Sequence, residues 1–131
     1  MEMKKALLDT NGYSALLNGD EDILNIISGV DTLYLSVIVL GELYAGFRGG
    51  SRESENVRLL ELFLNKPTVQ VLDVTQETAE IFGSVKESLK QAGTPLSIND
   101  VWIASHALEA GAAVVTYNHH FDRIHGVRVV W

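Results

Sequence analysis

Lys4-Lys5-Ala6-Leu7-Leu8-Asp9-Thr10-Asn11 is a short apolar run that ends abruptly in a carboxylate, a hydroxyl and an amide. The apolar residues predict a buried strand over residues 6–8. Open α/β sheets bind ligands in the crevice outside the carboxyl ends of their strands, so Asp9 is predicted to emerge at the edge where a site forms. The alternative interpretation is a turn or cap, because Asp-Thr-Asn-Gly is rich in residues that favour turns.

Strand-like and helix-like segments alternate along the rest of the chain. Further strands are predicted at 32–35, 69–72, 113–116 and 127–130. Helices are predicted at 12–18, at 21–28 capped by Asp20, from the cap Ser36 to about Phe47, from Ser51 or Ser54 to before Pro67, from Thr75 to Gly93, and at 98–110 capped by Ser97. This alternation predicts right-handed crossovers and a mainly parallel sheet covered on both faces, within one domain over residues 1–131.

The composition excludes several kinds of site. With 131 residues, of which 47% are hydrophobic, the chain has enough apolar material for one real core. The absence of cysteine excludes disulfides, thiolate nucleophiles and cysteine-ligated metals. A net charge of -7 argues against gripping nucleic acid through bulk electrostatics. It leaves open an enzyme that holds nucleic acid locally through metal ions and a few arginines.

No segment is predicted to target or cross a membrane. Lys4 and Lys5 precede only three apolar residues, whereas a signal peptide needs a much longer apolar stretch and a small-residue cleavage site. The longest apolar segment, 33–47, is interrupted by Ser36 and Glu42 and is too short to span a bilayer. We expect a cytoplasmic protein with no membrane partner.

Glu42 and Asp100 are the next candidates for chemistry. The helical neighbours of Glu42 at three and four residues are apolar or small, so none can neutralise its charge. Its alternative interpretation is a glutamate on an exposed strip of a buried helix. Asp100 closes the sequence Ser97-Ile98-Asn99-Asp100, which has the form of a capping box, and an acid in a first helical turn is favoured without any catalytic role. Capping and ligation are compatible.

A polar segment follows the predicted strand 113–116. Thr116-Tyr117-Asn118-His119-His120 brings a hydroxyl, an amide and two imidazoles to the sheet edge that holds Asp9, although it can also be an ordinary polar loop. Adjacent histidines rarely bind one ion together, and neither His106 nor His125 has a spacing that completes a zinc site.

Convergence of Asp9, Glu42 and Asp100 would create an all-oxygen, strongly negative pocket. Such a pocket suits Mg²⁺ or Mn²⁺, and without a cation the three carboxylates would repel one another. A bound cation would orient a water nucleophile and stabilise the charge on an attacked phosphate. The predicted reaction is phosphodiester hydrolysis.

These residues, in this order and spacing, resemble the PIN-domain nucleases and specifically the VapC-like toxins of prokaryotic toxin–antitoxin pairs. The resemblance covers nearly the whole chain. It is carried by Leu8-Asp9-Thr10-Asn11, Leu40-Gly41-Glu42-Leu43 with Gly46, Asn99-Asp100-x-x-Ile103-Ala104 followed by His106-Ala107, and Gly111-Ala112-x-x-x-Thr116-x-Asn118-x-x-Phe121.

The resemblance implies a Rossmann-like three-layer α/β/α sandwich with a Mg²⁺-dependent ribonuclease site. Asp9, Glu42 and Asp100 match the family's three principal metal-binding acids. Asn118 occupies a position that is often aspartate, which puts a tightly held second metal in doubt. Thr10 and Thr116 fall where such proteins place hydroxyls near the site. The resemblance also implies a homodimer and a cognate antitoxin whose C-terminal segment packs into a helical groove.

Arg48 and Arg52, just beyond the Glu42 helix, are the candidates for contact with RNA phosphates, unless they are ordinary solvated arginines. Two other functions fit parts of the pattern. A phosphoacceptor receiver domain would use Asp73 as its acceptor, but Asp9 is followed by Thr10 and not by a second acid, and no lysine occurs after Lys90. A non-cleaving RNA binder with the PIN fold would not need all three acids.

Overall fold

A five-stranded parallel sheet forms the centre of the computed structural model, which describes residues 4–130. The strands are β1 (Lys5–Leu8), β2 (Thr32–Ser36), β3 (Val69–Leu72), β4 (Ala113–Val115) and β5 (Val129–Val130). Their spatial order is β3-β2-β1-β4-β5, and every neighbouring pair is parallel. The predicted α/β class with a mainly parallel sheet is therefore confirmed.

Helices connect the strands and cover the sheet. They are α1 (Thr10–Leu17), α2 (Glu21–Ser28), α3 (Val37–Phe47), α4 (Glu53–Leu64), α5 (Gln76–Ala92) and α6 (Ile98–Ala110). A right-handed crossover from β1 through β2 to β3 places α1 to α4 on one face, and the return from β3 to β4 places α5 and α6 on the other. Ring contacts hold each face, with Tyr13 against Phe63 at 5.2 Å and Phe82 against Trp102 at 3.9 Å between centroids.

The core sits on the central strands, where burial on both faces favours apolar side chains. Ala6, Leu7 and Leu8 of β1 are fully buried, as are Val114 and Val115 of β4. The edge strand β3 is partly exposed. The strand predicted over residues 6–8 is thus the central strand of the sheet, and Asp9 follows it directly.

The strand order places a crevice beside Asp9. From β1 the chain moves to β2 and β3 on one side, and then crosses to β4 and β5 on the other. The carboxyl edge between β1 and β4 is therefore the topological switch point, where open α/β sheets bind ligands. Asp9 follows β1 there and Thr116 follows β4.

The same order argues against the receiver alternative. Flavodoxin-like receivers have the order 2-1-3-4-5, with β1 and β3 adjacent. Here β3 lies at the sheet edge, two strands from the switch point, and the proposed acceptor Asp73 is an exposed residue at its end. Asp73 cannot share a crevice with Asp9 as a receiver requires.

Several predicted boundaries were wrong. Helix α1 begins at Thr10 and not at residue 12, because the Asp9 carboxylate is its N-cap. The N-cap of α4 is Arg52, in place of Ser51 or Ser54, and has no side-chain capping bond. The last two strands are shorter than predicted, and a 3-10 helix, His119–Arg123, lies between them. No helix within residues 4–130 is long and apolar enough to cross a membrane.

Candidate active site

Asp9 is buried at the switch point, with 4% of its surface exposed, and both of its carboxylate oxygens are engaged. Oδ1 accepts a hydrogen bond from the Gly12 amide at 2.7 Å, and Oδ2 accepts one from the Thr116 hydroxyl at 2.5 Å. The first bond caps α1 and the second joins the ends of β1 and β4. The two interpretations of Asp9, as a cap and as a site residue, are therefore compatible.

Gly12 allows this arrangement, although the sequence alone did not mark it as a residue of the site. A Cβ atom at Gly12 would lie 2.6 Å from the Val115 carbonyl oxygen and 3.1 Å from Oδ1 of Asp9. Real Cβ atoms do not approach a carbonyl oxygen so closely. The first turn of α1 thus reaches both β4 and the buried carboxylate only because residue 12 has no side chain.

The environment of Asp9 disfavours its charged form. Burial raises the pKa of the Asp9 carboxyl above its usual value, while the hydrogen bonds from Thr116 and Gly12 oppose this rise. The negative charges of Asp100 and Glu42 raise the pKa further. Both acids are therefore within electrostatic reach of Asp9.

Glu42 is half-buried on α3 and is held by two other elements. Its Oε1 accepts a hydrogen bond from the Thr10 hydroxyl at 2.5 Å, and its Oε2 accepts one from the Asn99 side-chain amide at 3.2 Å. The Thr10 hydroxyl thus contacts one of the three predicted acids. The contact from Asn99 was not predicted. Its place beside Asp100 at the start of a helix was the signal that could have indicated it.

Asp100 is half-buried in the first turn of α6, with its carboxylate uncommitted. Its backbone amide donates to the Ser97 hydroxyl at 3.2 Å, which is half of the predicted capping box. Within residues 4–130 its carboxylate forms no hydrogen bond or salt bridge. Asp100 therefore keeps its oxygens free, whereas those of Asp9 and Glu42 are held in place.

Asn118 acts on the site through Thr116. The backbone amide of Asn118 donates to the Thr116 hydroxyl oxygen at 2.8 Å, and that hydroxyl donates to Asp9. The side-chain oxygen of Asn118 accepts from the His120 amide at 3.0 Å and so caps the 3-10 helix. The oxygen expected to face the acids therefore already has a structural role.

The donors suit a hard divalent cation, although they do not surround a common point. Asp9, Glu42 and Asp100 offer carboxylate oxygens only, which is the chemistry that Mg²⁺ prefers. Among residues 4–130 the two salt bridges join other side chains, so no lysine or arginine neutralises these acids. No group of three histidines, cysteines or acids in that part of the chain is arranged to hold a metal ion. The fit therefore rests on the type and charge of the donors.

The arginines predicted to contact RNA form local ion pairs. Arg48 lies 3.5 Å from Glu53, and Arg52 donates to both oxygens of Glu55 at 3.1 and 2.8 Å. Their side chains are 77% and 68% exposed. Neither touches the three acids, and their contact with RNA stays a prediction.

Comparison with known proteins identifies close relatives in sequence. The family model described as PIN domain matches residues 6–127. A ribonuclease VapC1 of Haemophilus influenzae is 33% identical over 123 residues, which is 90% of each chain. A tRNA(fMet)-specific endonuclease VapC of Salmonella typhimurium is 31% identical over 130 residues, which is 97% of each chain.

Solved structures give the same relationship in three dimensions. A DNA-bound VapBC from Salmonella typhimurium contains a chain that is 30% identical, with a TM-score of 0.83 and 98% of each chain covered. VapBC2 of Rickettsia felis, bound to a DNA fragment from its promoter, contains a chain that is 27% identical. Its TM-score is also 0.83, and the match covers 96% of this chain and 97% of that one.

Proposed function

The chain belongs to the PIN domain family, and from that membership we propose that it is an endoribonuclease, the toxin of a VapBC-like toxin–antitoxin pair. One observation carries the proposal. A buried, doubly hydrogen-bonded Asp9 lies at the switch point within electrostatic reach of Glu42 and Asp100, with no basic side chain paired to them in the described part of the chain. The relatives named ribonuclease or endonuclease support it.

We propose Mg²⁺ as the cofactor, with Mn²⁺ as a substitute. Asp9, Glu42 and Asp100 would hold it, and the neutral Asn118 in place of a fourth acid would weaken any second ion. A cation bound there supplies charge neutralisation for the attacked phosphate and a lower pKa for the attacking water. Burial first and the charges of Asp100 and Glu42 second raise the pKa of Asp9, and the positive charge of the cation would oppose that rise.

The chain's own residues prepare the site for this chemistry. Thr116 and Gly12 fix both oxygens of Asp9, so that carboxylate needs little reorganisation when a cation or substrate arrives. Thr10 and Asn99 fix Glu42 in the same way. Asp100 is the carboxylate left free, and we assign it the orientation of the attacking water.

RNA cleavage by the purified protein, free of inhibitor, tests the proposal. Cleavage is expected with Mg²⁺ or Mn²⁺ and should stop with EDTA. Candidate substrates include initiator transfer RNA, because one relative is named a tRNA(fMet)-specific endonuclease. The nuclease proposal is falsified if no RNA is cut with either metal. Binding of RNA without cleavage would instead favour the non-cleaving RNA binder, against which the presence of all three acids argues.

The antitoxin partner has a candidate docking site, which we call the apolar groove. It is a cavity of about 500 Å³ between α1, α2 and α4, and its lining includes Tyr13, Leu17, Leu24, Leu62 and Phe63. Leu17, Leu24 and Leu62 are 39%, 52% and 56% exposed and line the same groove, and grouped apolar exposure of this kind marks interaction sites. An apolar segment of a VapB-like antitoxin would cover them, as a helix or strand covers any such groove.

Substitution in the apolar groove separates antitoxin binding from catalysis. Leu62→Asp is expected to weaken binding of the co-expressed antitoxin by at least about 2 kcal/mol, as loss of a buried interface anchor does, with RNA cleavage unchanged. Val74→Asp makes the same kind of change at an apolar residue that lies outside the groove and is 41% exposed, and is the control. Equal antitoxin affinity in both variants would exclude the groove as the docking site.

Three further predictions belong to the same proposal. One domain is expected over residues 1–131, and the protein is expected to act in the cytoplasm, where its RNA substrate would be. A homodimer is also expected. Sedimentation of the purified protein at micromolar concentration tests that state, since a mass near twice the 14.4 kDa of the chain indicates a dimer.

A further inference from the structure

His106 is a buried polar residue that the proposed chemistry does not use. It lies on α6 with none of its surface exposed, and its two ring nitrogens contact two other elements. Nδ1 lies 2.8 Å from the Ser36 hydroxyl, and Nε2 lies 3.0 Å from the backbone carbonyl oxygen of Asp73. The ring therefore joins α6 to the start of α3 and to the end of β3.

The chemistry of the Asp73 partner fixes the direction of one bond, and the direction of the other follows for the uncharged ring. A carbonyl oxygen has no proton to give, so Nε2 of His106 donates to Asp73. In the uncharged ring Nδ1 then carries a lone pair and accepts from the Ser36 hydroxyl. The Ser36 oxygen in turn accepts from the Ile38 amide at 3.1 Å and caps α3. The imidazole thus holds the N-cap of the helix that carries Glu42.

Within residues 4–130, the Ser36–His106 contact is one of two side-chain hydrogen bonds that join α3, counted with its N-cap, to α6. The other is Glu42–Asn99, which lies beside Asp100. Position numbers rise along α3 from 36 to 42 while they fall along α6 from 106 to 99, so the segments run antiparallel. At 1.5 Å per residue the two contacts are roughly 9–10 Å apart. Two contacts at this spacing restrict both the sliding of one helix along the other and its rotation about its own axis.

We propose that His106 is a positioning residue for the catalytic site. Through Ser36 it sets the position of α3 against α6, so that Glu42 meets Asn99 and lies at the correct distance from Asp100. The inference rests on the proposed function of that site. Groups hydrogen-bonded directly to metal ligands typically change metal affinity or activity by about 10–100-fold when they are lost, and His106 acts one step further away, through Ser36 and α3.

Two substitutions at His106 separate positioning from stability. His106→Asn keeps an oxygen near the place of Nδ1 that can accept from Ser36, but loses the bond to Asp73. His106→Gln reaches the place of Nε2 and donates to Asp73, but has no acceptor for Ser36. Each variant loses one buried hydrogen bond and part of the ring volume, so similar falls in melting temperature are expected from both.

The variants should differ at the site. His106→Gln is expected to reduce Mg²⁺ affinity and kcat by about tenfold or more, while His106→Asn stays within about threefold of wild type. The side-chain amide resonances of Asn99, recorded without metal or RNA, should move in the Gln variant only. In Ser36→Ala protein the two variants should no longer differ.

Equal behaviour of the Asn and Gln variants in Asn99 resonances and Mg²⁺ affinity would overturn the inference and leave His106 a structural residue. The resonance measurement needs neither cation nor cleavage, so it decides the inference on its own. Failure of the proposed function would appear instead as wild-type protein that cuts no RNA. Wild-type cleavage together with equal variants would leave the nuclease proposal intact.

Discussion

Gly12→Ala is the sharpest test of how the fold presents Asp9. The added methyl group would lie 2.6 Å from the Val115 carbonyl oxygen, 3.0 Å from Cδ2 of Leu8 and 3.1 Å from Oδ1 of Asp9. Neither a strand carbonyl nor a buried carboxylate can move freely, so the first turn of α1 must shift. That shift lengthens the 2.7 Å bond from the residue 12 amide to Asp9.

Two effects of opposite sign set the stability of Gly12→Ala. Replacing a helical glycine by alanine stabilises a helix by up to about 1 kcal/mol. Overpacking a well-filled site costs about 1–3 kcal/mol. We therefore expect a net loss of up to about 3 kcal/mol in the free energy of unfolding. Because Asp9 moves with the turn, RNA cleavage should fall by about 10–100-fold.

Gly83→Ala is the matched control, because the same change is made in an open place. Gly83 lies within α5, and a Cβ there meets nothing within 4 Å. This variant should gain about 0.5–1 kcal/mol and keep full activity. Urea unfolding and RNA cleavage, measured on both variants, check the prediction. A Gly12→Ala protein as stable and as active as wild type would refute the close-approach argument.

Two more predictions concern the surroundings of Asp9. The folded-state pKa of Asp9 is raised, so its contribution to stability is fully present below the unfolded-state pKa and is lost as pH rises through the folded-state pKa. The free energy of unfolding, measured in urea and EDTA, should therefore fall more in wild type than in Asp9→Asn as the pH rises from 4 to 8. A smaller fall in wild type would contradict a raised pKa for Asp9. Thr116→Val removes the hydroxyl that donates to Asp9 and accepts from Asn118. It should cost about 1–3 kcal/mol and reduce cleavage, whereas Thr116→Ser, which keeps the hydroxyl, should retain most of both. Losses in Thr116→Ser as large as those in Thr116→Val would contradict this role of the hydroxyl, because Thr116→Ser keeps it.

Local signals in the sequence accounted for most of the secondary structure. Asp20, Ser36, Thr75 and Ser97 were predicted as helix caps or starts, and each is an N-cap in the structure. Capping depends on bonds to residues two or three positions away, which the sequence displays directly. The start of α4 at Arg52 was missed because no side chain caps it.

The residues that hold the site could not be predicted in the same way. Asn99 meets Glu42 across 57 positions, and His106 meets Ser36 across 70. The crowding at Gly12 comes from Val115 on a strand far along the chain. Such contacts depend on strand order and helix placement, and neither residue type nor spacing displays them. The three acids proposed for the site were easier to single out, because charge in an apolar helix or at a strand end is locally unusual.

Asp100→Asn tests most directly the claim that the three acids form the catalytic site. The Asp100 carboxylate has no structural partner within residues 4–130, so its loss should not disturb the fold. The backbone bond from residue 100 to Ser97 survives the change, so the melting temperature without metal should stay close to that of wild type. Glu61→Gln, which neutralises an exposed acid on α4, is the control. RNA cleavage in Mg²⁺ should fall at least about 100-fold in Asp100→Asn and be unchanged in Glu61→Gln. Wild-type cleavage rates in Asp100→Asn would contradict the assignment of the catalytic site.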